Sequence, residues 1–162
     1  MIPKKIQPYF ELTKETKDRD NNIIKGMLMC CNSHDFEVFV VGEIKRSVFS
    51  KMLLYPTKDK TVIEARCKKC ERIIPVFDSN SDGYGNCGKL PEIMRASTQI
   101  IDCIKCHSKS FSVTVKYEYP DIRELHDLEI HDKDNAFTWL WITIKCSECG
   151  ASYRNFVNLE TT

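Results

Sequence analysis

Hydrophobic and polar residues alternate most regularly between Phe111 and Tyr119, where five aromatic or β-branched residues are separated by Ser, Thr, Lys and Glu. A period of two places the apolar side chains on one face of a strand and the polar side chains on the other. The pattern therefore predicts an antiparallel strand with one face in water.

The segment from Phe137 to Ile144 is apolar on both faces of a strand. One face would carry Phe137, Trp139 and Trp141, and the other Leu140, Ile142 and Ile144. This predicts a central strand covered on both sides. An exposed stripe of these aromatic residues would instead suit a protein hot spot or base stacking.

The remaining segments between strands give weaker patterns. Ile122, Leu125 and Leu128 recur at helical spacing, whereas Val48 to Tyr55 fits a strand or a helix equally well. Tyr55 to Lys60 indicates a hairpin loop. Leu90 to Ala96 is compatible with one helical turn that begins at a proline. The predicted fold class is mainly β with small helical insertions.

The order of motifs in the first half of the chain recurs in the second half. The first half consists of Cys31 to His34, an alternating run from Phe36, an insertion, and a β-branched run that ends at Cys67 to Cys70. Cys103 to Cys106 and a run ending at Cys146 to Cys149 enclose the same order in the second. This internal duplication predicts two tandem antiparallel β units.

The domain boundaries follow from this repeat and from the turn-forming residues Asp78 to Gly88. We expect units at residues 25–78 and 99–160, joined by a linker at 79–98. Residues 1–24 are polar and of mixed charge, which indicates either a loosely attached lead-in or an edge strand.

The repeated motifs have the spacing of metal ligands. A Cys-x-x-Cys in a tight turn directs both sulfurs to one side, and two such turns facing each other present the four tetrahedral ligands of structural zinc. The first predicted site is Cys31, His34, Cys67 and Cys70, and the second is Cys103, Cys106, Cys146 and Cys149. Gly150, just after the last ligand, fits a left-handed backbone position.

Several neighbouring residues leave alternatives open. Cys30 adjoins Cys31, but aligning the two halves places Cys31 opposite Cys103 and so favours Cys31 as the ligand. His34 is either the fourth ligand or a surface histidine. His107 directly follows a ligand and is expected to be exposed or to contact a ligand. Cys87 has no partner motif and is interpreted as a spare thiol.

The paired motifs between β-strands resemble the zinc-ribbon group, which has rubredoxin-like knuckles. The resemblance covers roughly Cys31 to Phe77 and Cys103 to Val157, and it implies structural zinc together with binding of nucleic acid or protein. Insertions of 32 and 39 residues between the paired motifs depart from the small members of the group. These insertions argue against a plain nucleic-acid ribbon.

Composition narrows the cellular setting and the partner. No apolar run approaches the roughly 18 residues of a membrane-spanning helix, and the basic N-terminal residues precede no apolar signal region. We therefore expect a cytoplasmic protein, in which nine cysteines indicate metal rather than disulfides.

The net charge of +1 favours a protein partner over nucleic acid. Residues 43–72 carry nine basic and four acidic residues, and residues 118–134 carry seven acidic and two basic residues. The two segments are either solvated faces, mutually attracting halves, or a patch for a charged partner.

These observations favour a non-enzymatic interaction module with two structural Zn²⁺ ions and a protein partner. The alternatives are a nucleic-acid-binding regulator, a small intracellular inhibitor, and a thiol redox protein acting through Cys67 and Cys70, flanked by cations. A hydrolase is a weaker hypothesis, because no catalytic signature organises its candidate residues. Those candidates are His126 and His131 with Asp121, Asp127 or Asp132. Partner identity, oligomeric state and the packing of the two units do not follow from the residues.

Overall fold

The computed structural model describes residues 1–17, 22–57, 60–86, 98–127, 130 and 132–161. The protein is mainly β, with one large curled antiparallel sheet in the form of a half-barrel and a small two-stranded sheet. The strands are β1 (Phe10–Lys17), β2 (Asn22–Leu28), β3 (Phe36–Val41), β4 (Glu43–Arg46), β5 (Met52–Tyr55), β6 (Val62–Cys67), β7 (Ile73–Asp78), β8 (Gln99–Ile100), β9 (Phe111–Tyr119), β10 (Trp139–Cys146) and β11 (Ser152–Glu160).

Helical structure is confined to short segments. The described helix α1 (Ile122–Asp127) lies where Ile122 and Leu125 have helical spacing, and three 3-10 turns cover Gln7–Tyr9, Tyr84–Asn86 and Lys133–Asn135. In the described part of the chain, no helix is long and apolar enough to span a membrane. The predicted helical turn at 90–96 lies outside the described residues.

The large sheet is continuous between the two halves of the chain. Its main path runs β1-β2-β9-β3-β6-β7, and β10 pairs with β9 and β11. One edge of β9 pairs with β2, and the same edge meets β3 at the pair Phe36 and Phe111. Strands from residues 22–41 therefore lie directly against a strand of the second half.

β9 confirms the strand predicted from the alternation. Phe111, Val113, Val115, Tyr117 and Tyr119 are buried, and the residues between them are half-exposed. β10 is central, as predicted, but only one of its faces is buried. Leu140, Ile142 and Ile144 face the core, whereas Trp139 and Trp141 are half-exposed on the opposite face.

A single hydrophobic core is shared by both halves. The ring of Phe137 contacts Tyr117 at a centroid distance of 4.8 Å and Phe77, from β7, at 6.4 Å. Phe111 lies edge-on to Tyr153, with centroids 6.4 Å apart. Because aromatic residues from β7, β9 and β11 pack into the same core, each half depends on the other for burial.

The N-terminal residues and the start of the predicted linker also pack against this framework. β1 is the edge strand allowed by the sequence, and Ile6 is fully buried. Lys5 forms an ion pair with the buried carboxylate of Asp82. Gly83, with a φ of 89°, places its Cα against the side chain of Thr161, where a Cβ would collide. Residues 79–86 are thus held by contacts with both ends of the chain.

Removing the Phe111 ring tests the shared core. Phe111→Ala should lower the free energy of unfolding by about 3–5 kcal/mol, because it leaves a large cavity at the junction of the two halves. Phe49→Ala is a matched control at a side chain that is 83% exposed, and it should change stability by less than about 0.5 kcal/mol. Urea unfolding of the metal-loaded protein measures both. Equal effects of the two substitutions on the free energy of unfolding would contradict the packing of Phe111 in the shared core.

Candidate metal centres

Eight cysteines form two clusters at turns that flank the sheet strands. The first cluster is Cys30, Cys31, Cys67 and Cys70, and the second cluster is Cys103, Cys106, Cys146 and Cys149. Within each cluster the four sulfurs all lie within 4.8 Å of one another. Each cluster combines two buried and two exposed cysteines. Both groups can hold a metal ion such as zinc.

The distances between sulfurs fit a shared tetrahedral ion. Cys30 Sγ lies 3.6 Å from Cys70 Sγ and 3.8 Å from Cys31 Sγ. Two pairs in the second cluster are each 3.5 Å apart. A tetrahedron with metal–sulfur bonds of ~2.3 Å has edges of about 3.8 Å, whereas a disulfide would bring two sulfurs to ~2.05 Å. The spacing therefore matches metal ligands and excludes disulfides between these pairs.

Three of the four turns have the same backbone hydrogen bonds. The N–H of Cys67 donates to the carbonyl of Arg72 at 2.9 Å, and the N–H of Glu71 donates back to the carbonyl of Cys67 at 2.8 Å. The same pair of bonds recurs around Cys103, with Ser108 and His107, and around Cys146, with Ala151 and Gly150.

Each of these turns is closed by a residue with positive φ directly after its second cysteine. These residues are Glu71, His107 and Gly150, with φ values of 61°, 59° and 73°. The left-handed position predicted for Gly150 is confirmed, and the same conformation recurs at residues where only glycine would be free of strain. His107 is thus a structural position of the turn, and its side chain is 80% exposed.

The turn at Cys30 is shorter than the other three. Cys30 and Ser33 exchange both backbone hydrogen bonds, at 2.9 and 3.0 Å. Cys31 and Asn32 between them both have a φ of 56°, which is the geometry of a two-residue type I′ turn. Cys30 consequently takes the buried position that Cys103 takes in the second cluster, and Cys31 takes the exposed position of Cys106.

The structure therefore differs from the predicted ligand set at one residue. It brings Cys31, Cys67 and Cys70 together, but their fourth neighbour is Cys30 and not His34. The Nδ1 atom of His34 lies 2.8 Å from the carbonyl oxygen of Leu28, and Nε2 lies 3.4 Å from a carboxylate oxygen of Glu11. Both ring nitrogens of His34 are thus engaged outside the cluster. All four cysteines predicted for the second site lie together.

The sheet register positions the two clusters in the same way. Phe36 pairs with Cys67 across β3 and β6, and Phe111 pairs with Cys146 across β9 and β10. All four of these residues are buried. The sulfurs of Cys67 and Cys146 are therefore held in place by the packed ends of β6 and β10. The other sulfurs reach the cluster from the turns.

Electrostatics in the first cluster oppose a full set of thiolates. Burial, reinforced by the neighbouring thiols Cys70, Cys31 and Cys67, raises the pKa of Cys30 to about 12. A hydrogen bond from the backbone of Arg72, together with the neighbouring thiols, lowers the pKa of Cys70 to about 7. One sulfur can ionise while another is held protonated, and a divalent cation would remove this conflict.

The second cluster likewise combines one cysteine whose pKa is lowered with another whose pKa is raised. Burial opposes ionisation of Cys103, but hydrogen bonds from the hydroxyl of Tyr153 and from the backbone of the turn outweigh it and lower the pKa of Cys103 to about 6. Tyr153 Oη lies 3.2 Å from Cys103 Sγ and also accepts the N–H of Ile104 at 2.9 Å. A backbone hydrogen bond from Ser108 favours ionised Cys106, yet burial and the other thiols raise the pKa of Cys106 to about 12.

Among the described residues, the side chains outside the two cysteine clusters form no further group that could hold a metal ion. Asp121 forms an ion pair with Arg123 at 2.7 Å, which lowers the pKa of Asp121. His126 and Asp127 lie in α1. Cys87 and His131 lie outside the described residues.

Comparisons with known proteins add no assignment. No protein-family model matches the chain, and no curated protein or solved structure is significantly similar to it. The two four-cysteine clusters are therefore the basis for inferring metal binding.

The ligand set of the first cluster can be tested by two single substitutions. Cys30→Ser should reduce bound zinc from two ions per chain to about one, because a serine hydroxyl is a poor replacement for a thiolate ligand. His34→Ala should retain two ions. Native mass spectrometry of both variants measures the stoichiometry. Loss of an ion in His34→Ala with full occupancy in Cys30→Ser would restore the ligand set predicted from the sequence.

Proposed function

We propose that the protein is a non-enzymatic zinc protein whose two metal ions hold a β framework that binds another macromolecule. The observation that carries this proposal is the presence of four thiols at tetrahedral spacing in each cluster. Structural zinc is bound by four protein ligands, whereas catalytic zinc keeps a position open for water or substrate. A cluster already supplied with four cysteines has no such position.

The backbone around the clusters supports two zinc-ribbon-like units that arose by duplication. The N–H of Lys68 donates to the carbonyl of Asp35 at 3.0 Å, and the N–H of Ser147 donates to the carbonyl of Ser110 at 2.9 Å. Asp35 directly precedes β3 and Ser110 directly precedes β9, and each of these strands pairs with the strand that leads into the second turn of its cluster. These two matching hydrogen bonds support the duplication that we propose from the order of the cysteines.

A thiol redox function has less support. Redox Cys-x-x-Cys motifs usually open a helix in a βαβ unit, whereas Cys67 to Cys70 connects β6 to β7. Although the pKa of Cys70 is lowered to about 7, a zinc ion on this sulfur would remove it from thiol exchange.

We propose that the protein is cytoplasmic, because reduced thiols remain available for metal in that compartment.

A protein partner is supported by the exposed tip of the hairpin formed by β4 and β5. Val48 and Phe49 are 95% and 83% exposed, a large apolar area for a surface turn. Lys45 and Lys51 flank them, and Lys45 Nζ lies 4.3 Å from the ring centroid of Tyr55. Apolar side chains within a basic rim fit a partner that has an apolar pocket and acidic surroundings.

Thiol titration tests whether the metals are structural. The protein as purified should contain two zinc ions per chain, with the eight clustered thiols unreactive towards a disulfide reagent. A strong chelator should release both ions and expose eight additional reactive thiols, because each sulfur loses its metal bond. Turnover of a disulfide substrate by the fully metal-loaded protein would contradict the proposal and favour the redox function.

The hairpin tip can be tested by a double substitution. Val48→Ser with Phe49→Ser should abolish capture of a protein from a lysate of the native host, because it removes the apolar contact. Leu12→Ser, at an apolar side chain that is 50% exposed on β1, is the control and should leave capture unchanged. Quantitative mass spectrometry of the captured proteins gives the result. Equal capture by all variants would exclude the hairpin tip as the protein-binding surface.

A further inference from the structure

A row of residues crosses the solvent-facing side of the large sheet. Lys14 on β1 pairs with Lys25 on β2, and Lys25 pairs with Lys116 on β9. Lys116 pairs with Trp141 on β10, and Trp141 pairs with Asn158 on β11. Directly paired residues of antiparallel strands point to the same face, so these five side chains form one continuous row. Neighbouring strands are ~4.8 Å apart, which makes the row about 14 Å long from Lys14 to Trp141.

The three lysines form an arrangement that costs stability. Like charges directly opposite one another across paired strands are destabilising. The lysine ion pairs found among the described residues involve Lys5, Lys17, Lys45 and Lys60. Within that part of the chain, no carboxylate forms an ion pair with Lys14, Lys25 or Lys116. A polyanion laid across the strands would turn this repulsion into attraction.

The row ends in a fixed aromatic surface. The indole rings of Trp139 and Trp141 are stacked, with centroids 5.6 Å apart and planes 17° from parallel. Lys116 Nζ lies 3.7 Å from the ring centroid of Trp141, a close cation–π contact. The Nε1–H of Trp139 donates to Asn158 Oδ1 at 2.6 Å. Both indoles are therefore held in place at a half-exposed surface before any ligand binds.

We infer that this face binds single-stranded nucleic acid, with phosphates along the lysine row and bases against the tryptophan pair. A cationic track beside aromatic rings is the combination by which proteins hold unpaired strands without reading their sequence. An acidic peptide would satisfy the lysines but would leave the aromatic pair unused. A duplex keeps its base faces inside its own stack.

Two acidic residues beside Trp139 restrict the path of the nucleic-acid strand on this face. Glu118 and Glu160 pair with Trp139 from its two sides. Their charges repel phosphates from the row that contains Trp139 and leave the neighbouring lysine row as the phosphate track. The bases are then directed towards the indoles. This inference goes beyond the proposed function, since it concerns a face of the sheet distant in sequence from the hairpin tip.

Intrinsic fluorescence gives a direct test, because the chain contains two tryptophans and both lie on this face. The full-length, zinc-loaded protein is titrated with ten-nucleotide oligo(dT) and oligo(U) at low salt. Quenching that saturates is the expected result, since stacked bases quench indoles. A preference for one oligonucleotide would tell whether DNA or RNA is bound. Absence of quenching and of any change in the anisotropy of a labelled oligonucleotide overturns the inference.

Matched variants separate stacking from charge. Trp141→Leu should weaken oligonucleotide binding about 5- to 100-fold, and Trp141→Phe should restore most of it, because only Phe keeps an aromatic face. Lys25→Gln with Lys116→Gln should lower the slope of log affinity against log salt by about 0.7 for each phosphate that the protein no longer neutralises. Lys4→Gln with Lys109→Gln removes the same charge at exposed lysines outside the row and should leave the slope unchanged.

A competition experiment and the zinc content together distinguish failure of this inference from failure of the proposed function. If polyglutamate of equal charge competes as well as the oligonucleotide, the face recognises charge alone and the inference is overturned. Native mass spectra of each sample report the bound zinc independently. A protein without zinc contradicts the proposed function whether or not it binds the oligonucleotide, and a protein with two zinc ions that binds no oligonucleotide contradicts only this inference.

Discussion

The close approach of four cysteine sulfurs in each cluster is the physical constraint around which the turns of the large sheet are built. In each cluster the sulfurs lie within 4.8 Å of one another, and burial together with neighbouring thiols raises the pKa of Cys30 and of Cys106 to about 12. A divalent cation at the centre would allow all four sulfurs to ionise and bind it. A bound ion would then join the turn before β3 to the turn after β6, and the turn before β9 to the turn after β10.

The shared core makes the fold less dependent on metal than a free-standing zinc ribbon would be. A free-standing ribbon of 40–60 residues buries too little apolar area to be secure without zinc. Here β2 lies against β9, and Phe77 and Phe137 pack in one core. Metal ions bound at the clusters would therefore act on an already extensive sheet, and we expect their main effect on the turns that lie beyond the packed ends of the strands.

The sequence predicted the features that depend on local periodicity and spacing. The alternation of Phe111 to Tyr119 identified β9. Three Cys-x-x-Cys motifs identified six of the eight clustered cysteines, and the Cys-x-x-His motif at Cys31 identified a seventh. Alignment of the two halves on equal spacing favours Cys31 over Cys30 as the ligand. The type I′ turn at Cys31 and Asn32 shortens the first turn and shifts the alignment by one residue. Adjacent cysteines before a short turn are the signal that could have identified it.

Features formed by distant residues were not predictable in this way. The lysine row joins positions 14, 25 and 116 through strand pairings that cross the boundary of the repeat, so it leaves no basic run in the sequence. Several charges in the basic segment at 43–72 are instead used in ion pairs, including Arg46 with Asp102 and Arg66 with Glu37. A net charge of +1 thus conceals a cationic row on one face. Likewise, the apolar character of β10 did not reveal that its tryptophans face solvent.

X-ray absorption at the zinc edge of the protein as purified tests the central claim most directly, because it reports the atoms bound to the metal. We predict two zinc ions per chain, each surrounded by four sulfurs at about 2.3 Å, with no nitrogen ligand. A nitrogen shell at about 2.0–2.1 Å would show that a histidine completes one of the sites. The absence of zinc in protein prepared without chelator would contradict the account altogether.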